Sequence, residues 1–502
     1  AVHYGNFAHS RAFSPNVLNE ARFGLSHGDA DFRNSGAYHV PGIATDDGLS
    51  LGNWGWSLDV WQTRVTELGD TLSINRGRHG IKLGGGWVDR RLAYQSYLPG
   101  DTPEYYFASI FDFADDKPYA EYRTLDVATG EANKTDAVQG QKELYFFVQN
   151  TWQIRPNLTL NYGLRWETFY PPFLRMKGKE TWQPVLNSDQ LNPAAVAQVI
   201  NRRVESYANP DLDNFGPRIG VAWDPTETGK MSVRANFGIL YDELHALQHY
   251  NTVSNPPGSA YVAAGPDVGV PIVYGLAPVG TRTFPVNPNL EIPKLTPQGG
   301  FEGTRVGLYS YVNDLKAPMV YDSFVGVQYQ LHRDVMVFGD YRYRRTTNDV
   351  YADDLNRFAG DMVDGLLDRL NPYFDGISVQ TNWGKRIYHG LVFGVNKRFT
   401  SGFSIDAHYT YNNGHNNYGS VGQFADASST SPYQPQADWA RDDIANVFSF
   451  RNVWELPVFR TRTDWVGKIL GGWQLNSMWN LQSGPRFTPR STRRYGSGGD
   501  FN

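Results

Sequence analysis

The sequence contains no cysteine. A disulfide-stabilised secreted scaffold is therefore excluded, as are a thiolate metal site and a catalytic thiol. No stretch approaches the roughly 18 consecutive apolar residues that a transmembrane helix needs. The net charge is only −5 over 502 residues, so the chain lacks the basic surface that binding to nucleic acid requires.

Aromatic residues and glycine are abundant instead, at 14% of the chain and 51 residues respectively. Along the chain, apolar and polar residues alternate with a period of two, which indicates β-strands with two chemically different faces. The segments with the clearest alternation are residues 157–167, 232–241, 403–412 and 473–482. A soluble sheet with one wet face would show the same alternation, so the pattern alone leaves two fold classes open.

The lengths of the links between strands favour a membrane barrel. Short links lie near residues 75–78, 155–157, 225–229, 332–334 and 400–402, and a somewhat longer one spans residues 457–470. Much longer links alternate with them, at residues 93–140, 171–214, 242–318, 345–386 and 413–441. Transmembrane barrels join antiparallel strands by short periplasmic turns and long extracellular loops. The fold class is therefore predicted to be all-β, a transmembrane antiparallel β-barrel.

The pattern predicts thirteen strands, the first at residues 16–26 and the last at residues 471–481. Bacterial single-chain barrels have an even number of strands, and an incomplete barrel would leave strand edges exposed in lipid. Residues 1–502 are accordingly expected to be one fragment of an outer-membrane β-barrel domain. In this interpretation the signal peptide, the closing strands and any domain inside the barrel lie outside the fragment.

Several stretches, taken in order, resemble the barrel region of Oar-like TonB-dependent receptors. The stretches are NVLNEARFGLSH at residues 16–27, RHGIKLGGGW at 78–87, NLTLNYGLRWETFYPP at 157–172, DNFGPRIGVAWDP at 213–225, SVRANFGILYDE at 232–243, YHGLVFGVNKRFTSGFSIDAHYTYN at 388–412 and ILGGWQLNSMWNLQSGPRFTP at 469–489. The resemblance implies a barrel of about 22 strands, filled by an N-terminal plug and energised through TonB. Neither the plug nor the segment that contacts TonB has a counterpart in this sequence.

Three motifs could carry chemistry, and each has a simpler interpretation. His245 and His249 lie four residues apart near Glu243, but the zinc-protease pattern needs a glutamate directly after the first histidine. A short helix at the barrel mouth is the preferred interpretation. The glycine run at residues 84–86 lies within a strand, which favours a kink over a phosphate site.

The third motif is acidic. Residues 353–370 combine aspartates with apolar residues at helical spacing, which predicts an amphipathic helix whose acidic face is solvated. The aspartates are Asp353, Asp354, Asp361, Asp364 and Asp368, and the pairs Asp46–Asp47 and Asp442–Asp443 are similarly ambiguous. No nucleophile elbow or dinucleotide fingerprint is present. We therefore expect no enzyme activity, no metal and no cofactor.

Each alternating strand has a polar face opposite its apolar one, and the residues of the polar face are expected to line the barrel lumen. They are Arg165, Glu167, Arg234, Asn236, Asp406 and His408. The resemblance implies that inward charges pair with a plug. Aromatic residues of the loops would suit sugars or peptides, although such loops are generic binding surfaces. These residues are Tyr105, Tyr106, Tyr261, Tyr274, Tyr418 and Tyr433.

Two functions remain open for a barrel in the outer membrane of a Gram-negative bacterium. In the first, long loops capture an extracellular solute for energised uptake, with outer-membrane lipid, a plug and TonB as partners. In the second, the barrel acts in adhesion, surface display or export through the same loops. A soluble β-protein that acts on polysaccharides is the third hypothesis, and it requires that the protein stay soluble without detergent.

Overall fold

The computed structural model describes residues 2–31, 40–52, 60–96, 102–131, 133, 135–170, 173–176, 180–204, 209–244, 252–279, 281, 284–356, 369–417, 440–441, 443–459 and 461–485. These residues form strands β1 (Val2–Ser14), β2 (Val17–Asp31), β3 (Gly42–Thr45), β4 (Ser50–Leu51), β5 (Val60–Arg76), β6 (His79–Ser96), β7 (Glu104–Phe107), β8 (Ala120–Leu125), β9 (Thr135–Arg155), β10 (Leu158–Phe169), β11 (Phe173–Met176), β12 (Trp182–Pro184), β13 (Asn201–Arg203), β14 (Asp211–Trp223), β15 (Met231–Tyr241), β16 (Ala260–Ala264), β17 (Leu308–Tyr311), β18 (Met319–His332), β19 (Val335–Asp354), β20 (Ile377–Thr400), β21 (Phe403–Asn416), β22 (Ala440–Arg441), β23 (Asn446–Glu455) and β24 (Gln474–Gln482). Three short helices accompany them: α1 (Ile110–Ala114), α2 (Pro193–Val196) and α3 (Trp465–Leu470). No helix in the described part of the chain is long and apolar enough to cross a membrane.

Fourteen long strands form one antiparallel sheet in which each strand pairs with the next long strand along the chain. Their order is β1-β2-β5-β6-β9-β10-β14-β15-β18-β19-β20-β21-β23-β24. The short strands β11, β17 and β22 extend the same sheet. This up-and-down order confirms the antiparallel fold class.

The prediction of thirteen strands was wrong by one, because β1 was not recognised. Residues on one face of β1 include His3, His9 and Arg11, whereas those on the other include Asn6 and Ser10. Neither face is uniformly apolar, so the alternation of apolar and polar residues that marks the other strands is missing here. With fourteen strands, the argument from an odd strand number no longer holds.

The two ends of the sheet differ as predicted. At one end, here termed the turn end, successive strands are joined by links such as Gly77–Arg78 between β5 and β6 and Ser401–Gly402 between β20 and β21. Gly77 and Gly402 have φ angles of 58° and 76°, a conformation that glycine adopts without a Cβ clash. At the loop end the links are long and contain strands and helices of their own.

The two faces of the sheet differ in polarity. Large apolar side chains on one face, here termed the outward face, stay exposed in the isolated chain, including Phe146, Ile219, Val325, Phe393 and Leu475. Cross-strand pairing places residues such as Arg165, Gly216 and Phe147 together on the opposite, inward face. A sheet with an apolar outer band and a polar interior is the arrangement expected of a membrane barrel.

The glycine run of β6 makes room for aromatic rings. Gly84, Gly85 and Gly86 pair across the sheet with Phe147, Phe146 and Tyr145 of β9 respectively. A Cβ atom at Gly84, Gly85 or Gly86 would lie 2.9, 2.5 or 2.5 Å from an atom of the paired aromatic side chain. The run therefore accommodates three neighbouring side chains, one on the outward face and two on the inward face. None of the three glycines has a positive φ, and the predicted kink stays a prediction.

Described parts of the long links form two compact units. The first, here termed the loop core, is a buried apolar cluster from the links β10–β14, β15–β18 and β19–β20, including Val196, Leu315 and Phe374. Ala137 of β9 belongs to this cluster, and Trp61 of β5 packs against it. The second, here termed the loop sheet, is a five-stranded sheet of order β16-β8-β7-β3-β4, built from the links β2–β5, β6–β9 and β15–β18.

Candidate functional site

A groove of about 870 Å³ runs along the inward face of β9, β10, β14, β15 and β18. Its lining is mixed, with polar side chains beside aromatic rings: Gln149, Asn161, Arg165, Arg218, Arg234, Asn236, Asp322, Phe147 and Phe324. The groove contains Arg165, Arg234 and Asn236, three of the residues predicted to face the lumen. Four cross-strand pairings hold its walls in register.

Glycines leave space for the arginines of the groove. Arg218 pairs with Gly163 on β10 and with Gly238 on β15. A Cβ atom at Gly238 would lie 3.3 Å from Cγ of Arg218, so the arginine side chain crosses this glycine. Neither Arg218 nor Arg234 has an anionic partner within 4.0 Å among the described residues, and Arg234 donates to Gln328 at 2.9 Å. Arg234 also donates to the hydroxyl of Ser232 at 3.2 Å. Both guanidinium groups thus lack a carboxylate partner and keep N–H groups for an anionic or polar group in the lumen.

A chain of ion pairs lies at the loop end of the groove. Glu143 of β9 accepts from Arg90 of β6 at 3.1 Å and from Arg165 of β10 at 3.2 Å. Arg165 also donates to Glu167 at 2.7 Å and lies 3.9 Å from the centre of the Tyr145 ring. Both glutamate side chains are about nine-tenths buried, with 10% and 8% exposure. Buried carboxylates need such partners, because an unpaired buried charge is costly.

The same chain reaches a loop residue. Arg90 lies 3.2 Å from the carboxylate of Glu243, two residues beyond the end of β15. Three strands separate β6 from β15 in the sheet, so the chain beyond β15 bends across the inward face. The next residue, Leu244, belongs to the loop core. The loops are therefore fastened to the lumen wall both by a charge network and by apolar packing.

The other two residues predicted to face the lumen lie on a different part of the wall. Asp406 and His408 are on β21, and the imidazole Nδ1 of His408 is 3.6 Å from the carboxylate of Asp406. Cross-strand partners of these residues on β23 are Arg451 and Ser449. This wall is polar as well, but it does not contribute to the groove.

The loop sheet has an apolar inner face that includes two of the loop tyrosines. Tyr105 is fully buried, and its hydroxyl donates to the carbonyl of Val273 at 2.7 Å. Burial raises the pKa of Tyr105 to about 12. Tyr274 packs edge-on against Tyr105 and Phe107. The prediction that Tyr105 offers a binding surface is therefore wrong, since its ring belongs to a protein core.

A buried ion pair fixes a segment of the β15–β18 link to the loop sheet. Arg123 donates from Nε to Glu121 at 2.8 Å, and both side chains are almost fully buried. The second carboxylate oxygen of Glu121 accepts from the amide of Val273 at 2.9 Å and from Asn287 at 2.7 Å. Arg123 also donates to the carbonyl of Pro285. Both carboxylate oxygens of Glu121 are therefore engaged within the protein.

The opposite face of the loop sheet carries a set of tyrosines, here termed the tyrosine patch: Tyr106, Tyr119, Tyr122 and Tyr261. Tyr122 stacks on Tyr261 at 5.1 Å between ring centres and 9° between planes. Tyr106 meets Tyr122 edge-on at 5.3 Å. Tyr261 is 53% exposed and Tyr119 is 39% exposed, so the patch is open to the surroundings.

Glu104 lies beside the tyrosine patch and is only 8% exposed. One of its carboxylate oxygens accepts from the hydroxyls of Tyr106 and Tyr261 at 3.4 and 3.3 Å. Burial raises the pKa of Glu104 above its ordinary value, and the two tyrosine hydroxyls oppose that rise. Burial and the charge of Glu104 also raise the pKa of Tyr106, to about 12. Among the described residues, no cationic side chain lies within 4.0 Å of this carboxylate.

The structure describes only some of the other residues that were singled out in the sequence. His245, His249, Asp361, Asp364, Asp368, Tyr418, Tyr433 and Asp442 lie outside the described residues. Asp353 and Asp354 end strand β19, so the predicted helix does not include them, and Asp354 accepts from the amides of Asn356 and Ile377. Asp46 accepts from Tyr119 and Asp47 from the amide of Ile110. Within the described part of the chain, no three acidic or histidine side chains converge to hold a metal ion.

Sequence reasoning missed the residues that connect separate segments. Arg90, Glu143 and Arg218 carry a signal, because each lies at the polar phase of an alternating strand. Glu104 and Tyr122 carry a weaker signal in the sequence, because strands β7 and β8 are too short for a clear alternation and lie within a link. Their meeting depends on the pairing of β7 with β8 and of β8 with β16, which no local pattern predicts.

The outer membrane beta barrel domain family matches residues 2–501. No curated protein matches the chain. Among solved structures, the FrpB iron transporter from Neisseria meningitidis in its apoprotein form has a TM-score of 0.46 and 13% identity, with 91% of this chain and 50% of that chain covered.

Two further structures are similar at the same level. The copper transporter OprC has a TM-score of 0.45 and 12% identity over 91% of this chain and 50% of that chain. The ferric-catecholate import receptor Fiu from Escherichia coli K12 has a TM-score of 0.41 and 11% identity over 91% of this chain and 52% of that chain. The chain thus spans about half the length of these proteins. Since the family matches nearly every residue, the chain belongs to the outer membrane β-barrel domain family and is a protein of the outer membrane.

Proposed function

We propose that this chain is the barrel part of a TonB-dependent outer-membrane receptor whose extracellular loops capture a solute for energised uptake. The turn end then faces the periplasm and the loop end faces the outside. The observation that carries the proposal is the polar groove on the inward face, with Arg218 and Arg234 directed into it. Because these guanidinium groups have no carboxylate partner among the described residues, they suit contact with a plug or with an anionic group of a solute, as uptake requires.

The loops support a role in capture rather than simple anchoring. The loop core and the loop sheet are both folded units, and Arg90 and Glu243 join the loops to the lumen wall. Binding at the outer side can therefore be coupled to the lumen through contiguous contacts. Coupling of this kind requires an element with two arrangements that ligand binding biases.

The proposal includes a plug and further barrel strands as partners of the described sheet. Among the described residues, β1 pairs with β2 alone and β24 with β23 alone. Sheet edges are not tolerated within lipid, so additional strands would complete the barrel. A plug would supply polar groups to the charged inward wall, and its contact with TonB would supply the energy.

The test measures whether the lumen changes when the receptor is energised. Because the chain has no cysteine, the change Asn236→Cys in the full-length receptor places one thiol in the groove. Cells with and without functional TonB are treated from outside with a membrane-impermeant maleimide. We expect labelling to be several-fold faster when TonB is functional, since energised movement of the plug opens the groove.

A cysteine at Tyr373, which is 49% exposed in the β19–β20 link, serves as the control. Its labelling should be the same in both strains, because it does not depend on access to the lumen. Equal labelling of Asn236→Cys in both strains contradicts energised uptake and favours adhesion, display or export through a passive barrel.

A further inference from the structure

The outer side of the loop sheet combines two features that recognise the same kind of ligand. Four tyrosine rings are packed together, and a carboxylate lies directly beside them. Aromatic faces attract cations through the ring quadrupole, and a carboxylate attracts them through its charge. We propose that Glu104, Tyr106, Tyr122 and Tyr261 form a binding site for a cationic side chain, lysine or arginine, of an extracellular peptide.

The register of the loop sheet explains why these groups meet. Glu104 pairs with Tyr122 across β7 and β8, and Tyr261 of β16 lies diagonal to Tyr122. On the other side of β7, the cross-strand partners of Glu104 and Tyr106 are Gly42 and Ala44. These small residues place no long side chain over the carboxylate. The site is thus assembled from two separate links, β6–β9 and β15–β18, and its most exposed part is the ring of Tyr261.

The electrostatic balance favours a cation over a neutral ligand such as a sugar. Glu104 is nine-tenths buried, and its hydrogen bonds from Tyr106 and Tyr261 are long, at 3.4 and 3.3 Å. Asp46, which accepts from Tyr119 at 3.1 Å, adds a second carboxylate at the rim. A cationic group would offset the cost of burying the charge of Glu104. A sugar hydroxyl would not offset it to the same extent.

An organic cation fits better than a metal ion. Among the described residues, no cluster of three acidic or histidine side chains is available for coordination. The rings instead present flat apolar surface, with Tyr261 53% exposed. Stacking of Tyr122 on Tyr261 fixes the position of the exposed ring, which reduces the entropy lost when a ligand binds. A lysine or arginine side chain has both the apolar stem and the charged end that this surface matches.

Binding at this site requires folded loops and does not require passage through the barrel, so it is tested apart from transport. The receptor in detergent is titrated with a synthetic peptide that contains one lysine, and with the same peptide after acetylation of that lysine. We expect the acetylated peptide to bind about tenfold more weakly, because it lacks the charge that interacts with the rings. Equal binding of the two peptides overturns the proposal.

Three variants separate the contributions of charge, ring and hydroxyl. Glu104→Gln keeps the shape of the side chain and should weaken binding of the lysine peptide about tenfold. Tyr261→Leu should weaken it by a similar factor, whereas Tyr261→Phe should stay within about threefold because the ring is kept. Tyr373→Ala, which changes an exposed tyrosine in another link, should have no effect. If Tyr261→Leu binds as Tyr261→Phe does, the rings do not recognise the cation and the proposal fails.

Loss of the loop sheet must be distinguished from loss of the site. Hydrogen exchange at the amides of Val273 and Gly42, whose partners are Glu121 and the carbonyl of Pro103, reports whether the sheet remains folded. We expect protection in all variants, since none changes its apolar core. Weaker binding with intact protection supports the site. Unchanged binding by Glu104→Gln with intact protection contradicts it, whatever the outcome of the transport experiment.

Discussion

The outward face of the sheet and the loop core are both rich in large apolar side chains, yet they are stabilised by different surroundings. Phe393 on the outward face is 56% exposed in the isolated chain, whereas Phe374 in the loop core is completely buried. The first residue needs lipid and the second needs neighbouring loops. The apolar surface of this protein is therefore covered in two separate ways, by lipid and by neighbouring loops, so damage to one region need not unfold the other.

The largest expected effect comes from a cavity in the loop core. The change Phe374→Ala removes a buried ring and should cost about 3–5 kcal/mol in stability of the loops. Phe393→Ala removes an equal volume on the outward face, where lipid fills the space. Hydrogen exchange in lipid vesicles should show lost protection of the loops in the first variant and unchanged loops in the second. Equal loss in both variants would contradict the separate stabilisation of the two regions.

A charge on the outward face is expected to have the next largest effect. The change Val325→Lys places an amine within the apolar band and should destabilise the barrel by about 2–4 kcal/mol if it lies near the membrane midplane. The matched control Tyr373→Lys lies in a link and should change stability by less than about 0.5 kcal/mol. Urea unfolding in vesicles measures both values. A negligible effect of Val325→Lys would show that this face does not contact lipid.

A methyl group added to the glycine run should have a smaller effect. The change Gly86→Ala brings a Cβ atom to 2.5 Å from the hydroxyl oxygen of Tyr145 and 2.6 Å from the carbonyl of Leu68. Overpacking of this kind should cost about 1–3 kcal/mol. Gly5→Ala, where a Cβ atom would meet no atom within 4 Å, is the control. Unfolding in urea should place Gly5→Ala close to the unchanged protein, and an equal loss in both would show that the ring contacts do not matter.

The smallest effect concerns pH and the loop sheet. Burial raises the pKa of Glu104, so this group stabilises the folded loops fully below its unfolded pKa, and the contribution is lost as pH rises through the folded pKa. Glu104→Gln should therefore make the loop sheet more stable than the unchanged protein at neutral pH. The difference should disappear in acid, where Glu104 is protonated in both states. Loop protection measured by hydrogen exchange across pH tests the sign, and a variant less stable at neutral pH contradicts it.

Much of the fold could be predicted from the sequence, because apolar and polar residues alternate within most strands and so mark the two faces of the sheet. The tight turns near Gly77, Asp224 and Gly402 were located correctly, since turn residues interrupt the alternation. Strand β1 was missed because its two faces have similar polarity. Local patterns thus sufficed wherever the membrane imposes a contrast between neighbouring residues.

The sites were less predictable because they join residues distant in sequence. Arg165 and Arg234 could be placed in the lumen from the phase of their strands alone. The burial of Tyr105 could not be predicted. Tyr105 and Tyr106 point to opposite faces of the loop sheet, and only the folded loop sheet determines which of the two faces is buried. Glu104 gave no signal of its own, since a carboxylate in a link is ordinarily solvated.

A cysteine placed in turn at each of residues 232–238 tests whether the fourteen-stranded sheet separates lipid from a polar lumen. In vesicles, a water-soluble maleimide should react with a cysteine that replaces Ser232, Arg234, Asn236 or Gly238, because these four positions lie on the inward face with the groove. Positions 233, 235 and 237 should react only with a lipid-soluble reagent. Uniform reaction of all seven positions with the water-soluble reagent would show that lipid does not cover one face of the sheet.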